Sequence, residues 1–191
     1  MATKPDLRTL LAILLCCLAL PAAAWQPADL MRLLAQDKNG RASFVERKYI
    51  SIVDQPVESS GTLAFTAPDK LEKRTLKPRP EALILDGDQL TIERAGKAPT
   101  TVRISRFPEA AAFVESIRGT LAGDLRALER TYWLKLEGNA GKWQLTLEPR
   151  DDNMSATVTR IAISGQRNLV QRIEFAMADG DRSEMLITPL P

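Results

Sequence analysis

Hydrophobic and polar side chains alternate in short runs through most of the chain after Phe44. This is the two-residue period of strands that bury one face. Residues 44–53 and 59–68 form the first two such runs, rich in β-branched and aromatic residues, with a polar break containing the turn-forming Asp54-Gln55-Pro56 between them. Gly61 lies inside the second run and predicts a bulge or bend, which a strongly curved sheet needs.

Further strands are predicted at 71–76, 82–85, 89–95 and 100–105, with Asp86-Gly87 as a hairpin turn. Asp86 and Asp88 read as turn residues rather than an acid/base or metal pair, because Asp-Gly is turn chemistry in its own right. After an interruption the alternation resumes. Tyr132, Leu134 and Leu136 alternate with Trp133, Lys135 and Glu137, and Trp143, Leu145 and Leu147 alternate with Gln144, Thr146 and Glu148. Asp151-Asp152-Asn153 reads as a polar loop, and strands at 157–164, 169–177 and 183–188 complete about eleven.

Two segments carry the helical period instead. Residues 26–36 place Leu30, Leu33 and Leu34 on one stripe, with Pro27 in the first turn and Asn39-Gly40 as the stop. Residues 108–129 place Ala110, Phe113, Val114 and Ile117 on one face, are interrupted at Gly119, and restart with Thr120 as a cap before Leu121, Leu125 and Leu128. The fold class that follows is mainly β (α+β): a curled antiparallel sheet of about eleven strands forming an incomplete barrel, closed by three short helices.

The alternation also predicts an apolar lining. Leu63 with Phe65, Leu83 with Leu85, Leu90 with Ile92, Leu145 with Leu147, and Ile173 with Phe175 each share a strand face. Antiparallel neighbours in register would join these faces into one surface, with Phe113 and Ile117 facing it from the helices. These twelve residues are the candidate lining of an apolar ligand-binding cavity. The other reading of the same pattern is a solid core with the helices as a fixed plug.

The N-terminus and the composition narrow the function. Lys4 and Arg8 precede an apolar run from Leu10 to Leu20, and Pro21-Ala22-Ala23-Ala24 supplies small residues before Trp25. This predicts a signal peptide over 1–24, with one domain at 25–191. The apolar run is shorter than the roughly 20 residues that a membrane span needs. Cys16 and Cys17 leave with the leader, so neither disulfides nor thiol chemistry are expected. Without Lys4, Asp6 and Arg8, the 26 basic and 24 acidic residues fall to a net charge near +1. Nucleic acid is therefore not an expected partner. The chain has no histidine, no Gly-x-Ser-x-Gly and no phosphate-binding or dinucleotide glycine motif. It is read as a non-enzyme without cofactor or metal.

Ala42-Ser43-Phe44, Gly61-x-Leu63, Pro68, Pro80, Leu83 to Leu85 with Asp86-Gly87, and Leu90 follow one another at a spacing that resembles the LolA outer-membrane lipoprotein carrier family. Leu147-Glu148-Pro149-Arg150 and the segment 173–182 extend the likeness over most of the chain after the leader. The resemblance implies a monomeric periplasmic carrier. It would shield the acyl chains of a lipoprotein or other amphiphile, taking cargo from an inner-membrane donor complex to an outer-membrane acceptor. Such chains need shielding, since each methylene buried away from water is worth roughly 0.8 kcal/mol. The resemblance also implies that the helices at 108–129 are a movable lid.

Two departures point to a divergent member. The family's lid-tying arginine corresponds to Ala67, with Lys70, Lys73 or Arg74 as candidates to replace it. The sequence ends at Pro191, without the C-terminal segment that many carriers have. The alternative from another class is a lipid- or lipoprotein-sensing regulator related to sigma-factor regulatory proteins. Those usually add a second domain, for which this length leaves no room.

Overall fold

The computed structural model describes residues 25–191; the predicted leader at 1–24 lies outside the described residues. Eleven strands are present: β1 (Asn39–Tyr49), β2 (Val57–Thr66), β3 (Lys70–Lys77), β4 (Glu81–Asp86), β5 (Gln89–Arg94), β6 (Thr100–Arg103), β7 (Tyr132–Asn139), β8 (Lys142–Pro149), β9 (Val158–Gln166), β10 (Leu169–Met177) and β11 (Arg182–Pro189). They form one antiparallel sheet in the order β6-β5-β4-β3-β2-β1-β11-β10-β9-β8-β7. The last strand docks beside the first, and β6 and β7 are left as edges. The sheet is therefore curled but unclosed.

Four short helices accompany it: α1 (Pro27–Leu34), α2 (Pro108–Ala122), α3 (Leu125–Thr131) and α4 (Asp152–Ser155). None is long and apolar enough to cross a membrane among the described residues. α1 buries Leu30, Met31 and Leu34 in one core with Leu128, Tyr132, Leu145, Leu147, Ile161 and Ile163. This main core sits on the half of the sheet built from β7 to β11 and β1.

Several local readings need correction. The break between α2 and α3 falls at Gly123, not Gly119. Gly123 takes φ +70°, and a Cβ there would lie 2.3 Å from the Met31 carbonyl oxygen of α1. Gly119 instead stays helical and lets α3 approach, since a Cβ there would lie 2.9 Å from Leu128. Thr120 is buried inside α2, its hydroxyl donating to the Ser116 carbonyl at 2.7 Å. The cap of α3 is Asp124, which accepts from the Ala127 N–H at 2.9 Å.

The polar stretch at 151–153 is also more than a loop. Asp151 accepts from the Met154 N–H, which starts α4 and buries Met154. Asn39-Gly40 does not stop the first helix. It opens β1, pairing with Thr66 and Phe65. At the other end β1 stops at Tyr49, because its partner β2 begins only at Val57 opposite Lys48. Residues 50–53 turn instead, and Ile52 is 91% exposed.

Gly61 lies at the predicted irregularity, where the β2–β3 register shifts between Ser60 and Gly61. A Cβ at Gly61 would stand 1.9 Å from the Arg74 carbonyl oxygen, and that atom belongs to a neighbouring backbone that cannot swing aside. Gly61→Ala is therefore expected to destabilise the protein by roughly 1–3 kcal/mol through overpacking. Urea unfolding reads this directly, and an unchanged midpoint would contradict the close approach.

Candidate functional site

Cross-strand pairs place side chains on a common face, so the register lists what the concave face carries. One row runs Gly40, Phe65, Leu71, Leu85, Leu90, Val102. The next runs Ala42, Leu63, Lys73, Leu83, Ile92, Thr100. A third holds Phe44, Gly61, Thr75, Glu81 and Arg94, and a fourth pairs Glu46 with Ser59. Across β11 the face continues through Met185, Ile173, Ile163, Leu145 and Leu136, and through Ser183, Phe175, Ile161, Leu147 and Leu134. The ten predicted strand residues thus share one face.

They do not share one environment. Leu145, Leu147, Ile173 and Phe175 belong to the packed core beneath the helices. Phe65 and Leu85 are buried outside that core. Leu83, Leu90 and Ile92 are half-buried and outside it, as are Leu71 and Val102. Leu63 packs against its border. The arm from β2 to β6 therefore presents an apolar inner face that the main core does not cover.

Helix α2 is tied to both arms. The Phe113 ring lies 4.1 Å from the Phe175 ring at a tilt of 42°, while Phe113 stays partly exposed. Ile117 is half-buried against the core. Arg118 pairs with Glu115 and donates to the Gly87 carbonyl at 2.9 Å, reaching the β4–β5 hairpin. The arginine that links helix to sheet is thus on the helix. Lys70 and Arg74 pair with Glu72, Arg74 also with Glu93, and Lys73 with Glu46. Ser116 is fully buried on α2, and burial pushes the neighbouring Tyr132 hydroxyl up to about 12. A cavity of about 340 Å³ opens beside edge strand β6, lined by Gln89, Thr101, Val102, Arg103, Arg106 and Phe107.

The pattern search missed a polar group inside this face. Glu46 is only 5% exposed. Its carboxylate pairs with the Lys73 ammonium, accepts from Ser183 at 2.8 Å and accepts from Ser59 at 3.4 Å. Lys73 Nζ also sits 5.0 Å from the Phe44 ring centre, a cation–π distance. The signal was present in the alternation, since Phe44-x-Glu46 and Leu71-x-Lys73 put charges at inward positions. Burial pushes the Glu46 carboxyl up. The Lys73 charge and hydrogen bond, with help from Ser183 and Lys48, outweigh that and hold it below the ordinary value of 4.5. Among the described residues no group of His, Cys, Asp and Glu could hold a metal ion.

The chain belongs to the family described as outer membrane lipoprotein carrier protein LolA-like, whose model matches residues 19–189. A curated relative, the outer-membrane lipoprotein carrier protein of Dechloromonas aromatica (strain RCB), is 29% identical over 112 residues. That match covers 58% of this chain and 51% of the relative, so the chain spans about half the length of the curated protein it matches. Among solved structures, a LolA superfamily protein from Nitrosomonas europaea aligns over 86% of this chain and 92% of its own, at 10% identity and a TM-score of 0.45. MucB, solved with MucA from Pseudomonas aeruginosa, aligns over 85% of this chain and 55% of that one, at 15% identity and a TM-score of 0.46.

The buried pair makes a pH prediction. Because the folded Glu46 value lies below 4.5, its contribution is fully present above about that pH and is lost as pH falls through the depressed value. Glu46→Gln should cost about 1.5–3 kcal/mol at pH 7, the range for hydrogen bonds to charged groups. The gap to wild type should close on acidification. Unfolding titrations at several pH values check this, and a gap that stays constant down to pH 3 would contradict the ion pair.

Proposed function

We propose that this protein is a periplasmic carrier that shields the acyl chains of a lipoprotein or other amphiphile and delivers it towards the outer membrane. The observation that carries the reading is the uncovered apolar arm, with Leu71, Leu83, Leu90, Ile92 and Val102 inward on β3 to β6 and Leu63 at its border with the core. A half-buried apolar surface of this kind gains free energy by covering itself, and an acyl chain is a flexible cover of the right chemistry. The other arm is already filled by its own core, which keeps the sheet rigid while the first arm exchanges cargo. The family membership supports the same reading. Binding and release suffice for it, without a catalytic step. Its partners would be an inner-membrane donor and an outer-membrane acceptor, and the protein would act as a monomer.

The lining in this reading is Leu63, Phe65, Leu83, Leu85, Leu90 and Ile92, with Phe113 and Ile117 closing over it and Leu145, Leu147, Ile173 and Phe175 as the floor of the packed arm. Ile92 is the best test position, because it is half-buried and outside the main core. Ile92→Glu should weaken binding of a fluorescent acyl probe by at least about tenfold, or about 1.4 kcal/mol, since a carboxylate would have to be desolvated against the chain. It should leave the unfolding midpoint nearly unchanged. Wild-type affinity in that variant would count against the site.

α2 acts as the lid in this account, held to the open arm by one hydrogen bond from Arg118 and to the packed arm by Phe113. Opening it detaches one helix and leaves the sheet ladder intact, so hydrogen exchange should be faster in α2 than in β8 and β9 and should slow when the probe binds. Equally slow exchange in all three, with and without probe, would make α2 a fixed plug.

A further inference from the structure

The uncovered arm is not uniformly apolar. Its rows change character along the strand direction. Phe65, Leu71, Leu85, Leu90 and Val102 make the end nearest Gly87, the hairpin that Arg118 of α2 holds. The next row holds Leu63, Leu83 and Ile92 with one charge, Lys73, which pairs back to Glu46; two rows away stand Thr75, Glu81 and Arg94, and beyond them Glu46 and Ser59. Two residues along a strand advance about 6.6 Å, so the face passes from apolar to charged in about 13 Å. That is the length scale of an amphiphile, with one end for chains and one for a polar group.

The charges at the polar end are ordered by depth. In the Glu46–Lys73 pair the carboxylate side chain is 6% exposed and the ammonium side chain 26%. In the Glu81–Arg94 pair the carboxylate side chain is 32% exposed and the guanidinium side chain 54%. In both pairs the cation is the outer partner. Lys48 follows Glu46 on the same face and is exposed. Each pair is close to neutral overall, but its positive end points outward.

Among the described residues the Lys73 ammonium makes one hydrogen bond, to Glu46, beside the Phe44 ring, and the Arg94 guanidinium makes one, to Glu81. An ammonium carries three donors and a guanidinium five. Both cations are therefore anchored from below and keep donors for a ligand above. A cation already held in place loses less entropy on binding than a free side chain, which favours a specific site.

We propose that this polar end recognises the anionic headgroup, phosphate or carboxylate, of an amphiphile whose chains lie against the Phe65–Val102 row. Lys73 and Arg94 are the headgroup ligands, and Glu46 and Glu81 are the positioning residues beneath them. The inference rests on the carrier reading, since the chains supply most of the affinity and the headgroup sets the preference.

Calorimetric titration of the purified protein with three probes tests it: dodecyl phosphate, dodecyl maltoside and inorganic phosphate. Dodecyl phosphate should bind about tenfold more tightly than dodecyl maltoside, as expected for charge-assisted hydrogen bonds at a partly exposed site. The preference should shrink with added salt. It should fall in Arg94→Gln and vanish in Arg94→Gln combined with Lys73→Met and Glu46→Gln, which removes both cations without leaving a buried unpaired carboxylate. Binding of dodecyl maltoside should survive in all of them. Inorganic phosphate alone should bind far more weakly than dodecyl phosphate.

Equal affinity for the two amphiphiles would overturn the headgroup site and leave the carrier reading standing. Inorganic phosphate binding as tightly as dodecyl phosphate would overturn it too, because the anion would then be held without the chains. No binding of either amphiphile would remove both readings together.

Discussion

Everything in this molecule depends on the register between antiparallel strands. A slip of one residue would turn each inward side chain to solvent. The pairing of Phe44 with Gly61 and Ile187, and of Leu85 with Leu71 and Leu90, keeps the apolar positions of β1 to β5 and β11 on one surface. Docking β11 against β1 joins the first and last strands and leaves β6 and β7 apart. An unclosed sheet with a continuous apolar face has to cover that face with something. The helices and the packed arm cover one half, and the other half is where a ligand would add most.

The same constraint explains the placement of the charges. On an apolar wall a lone carboxylate would be costly, and Glu46 is tolerated because an ammonium and two hydroxyls meet it. Those partners come from β2, β3 and β11, so the group also links four neighbouring strands through side chains. It sits where the inner face changes from leucine and isoleucine to threonine, glutamate and arginine. Structure and proposed recognition share these residues, so a substitution here can cost fold, preference or both.

Much of the architecture was legible from alternation alone. The eleven strands, the Asp86-Gly87 hairpin and the irregularity at Gly61 follow from residue types that have few other places to go. What alternation could not supply was anything decided by a distant neighbour. Gly119 and Gly123 look equally able to break a helix, and only the approach of Leu128 and of the Met31 carbonyl distinguishes them. Asp151 looks like a loop residue until Met154 has a core to enter. Residues 50–53 have strand composition but no partner strand opposite them. The division of the inner face into a filled and an uncovered arm depends on where α1 and α3 dock. A single strand's pattern carries no record of that.

The central claim is that acyl chains lie on the inner face of β2 to β6. Photocrosslinking with a diazirine-bearing fatty acid, followed by peptide mass spectrometry, measures it most directly. The account predicts label on inward positions of those strands, Leu63, Leu83, Leu90 and Ile92 above all, and loss of label when unmodified fatty acid competes. Label confined to the convex face or to the exposed 50–53 turn, or label that competitor does not displace, would contradict it.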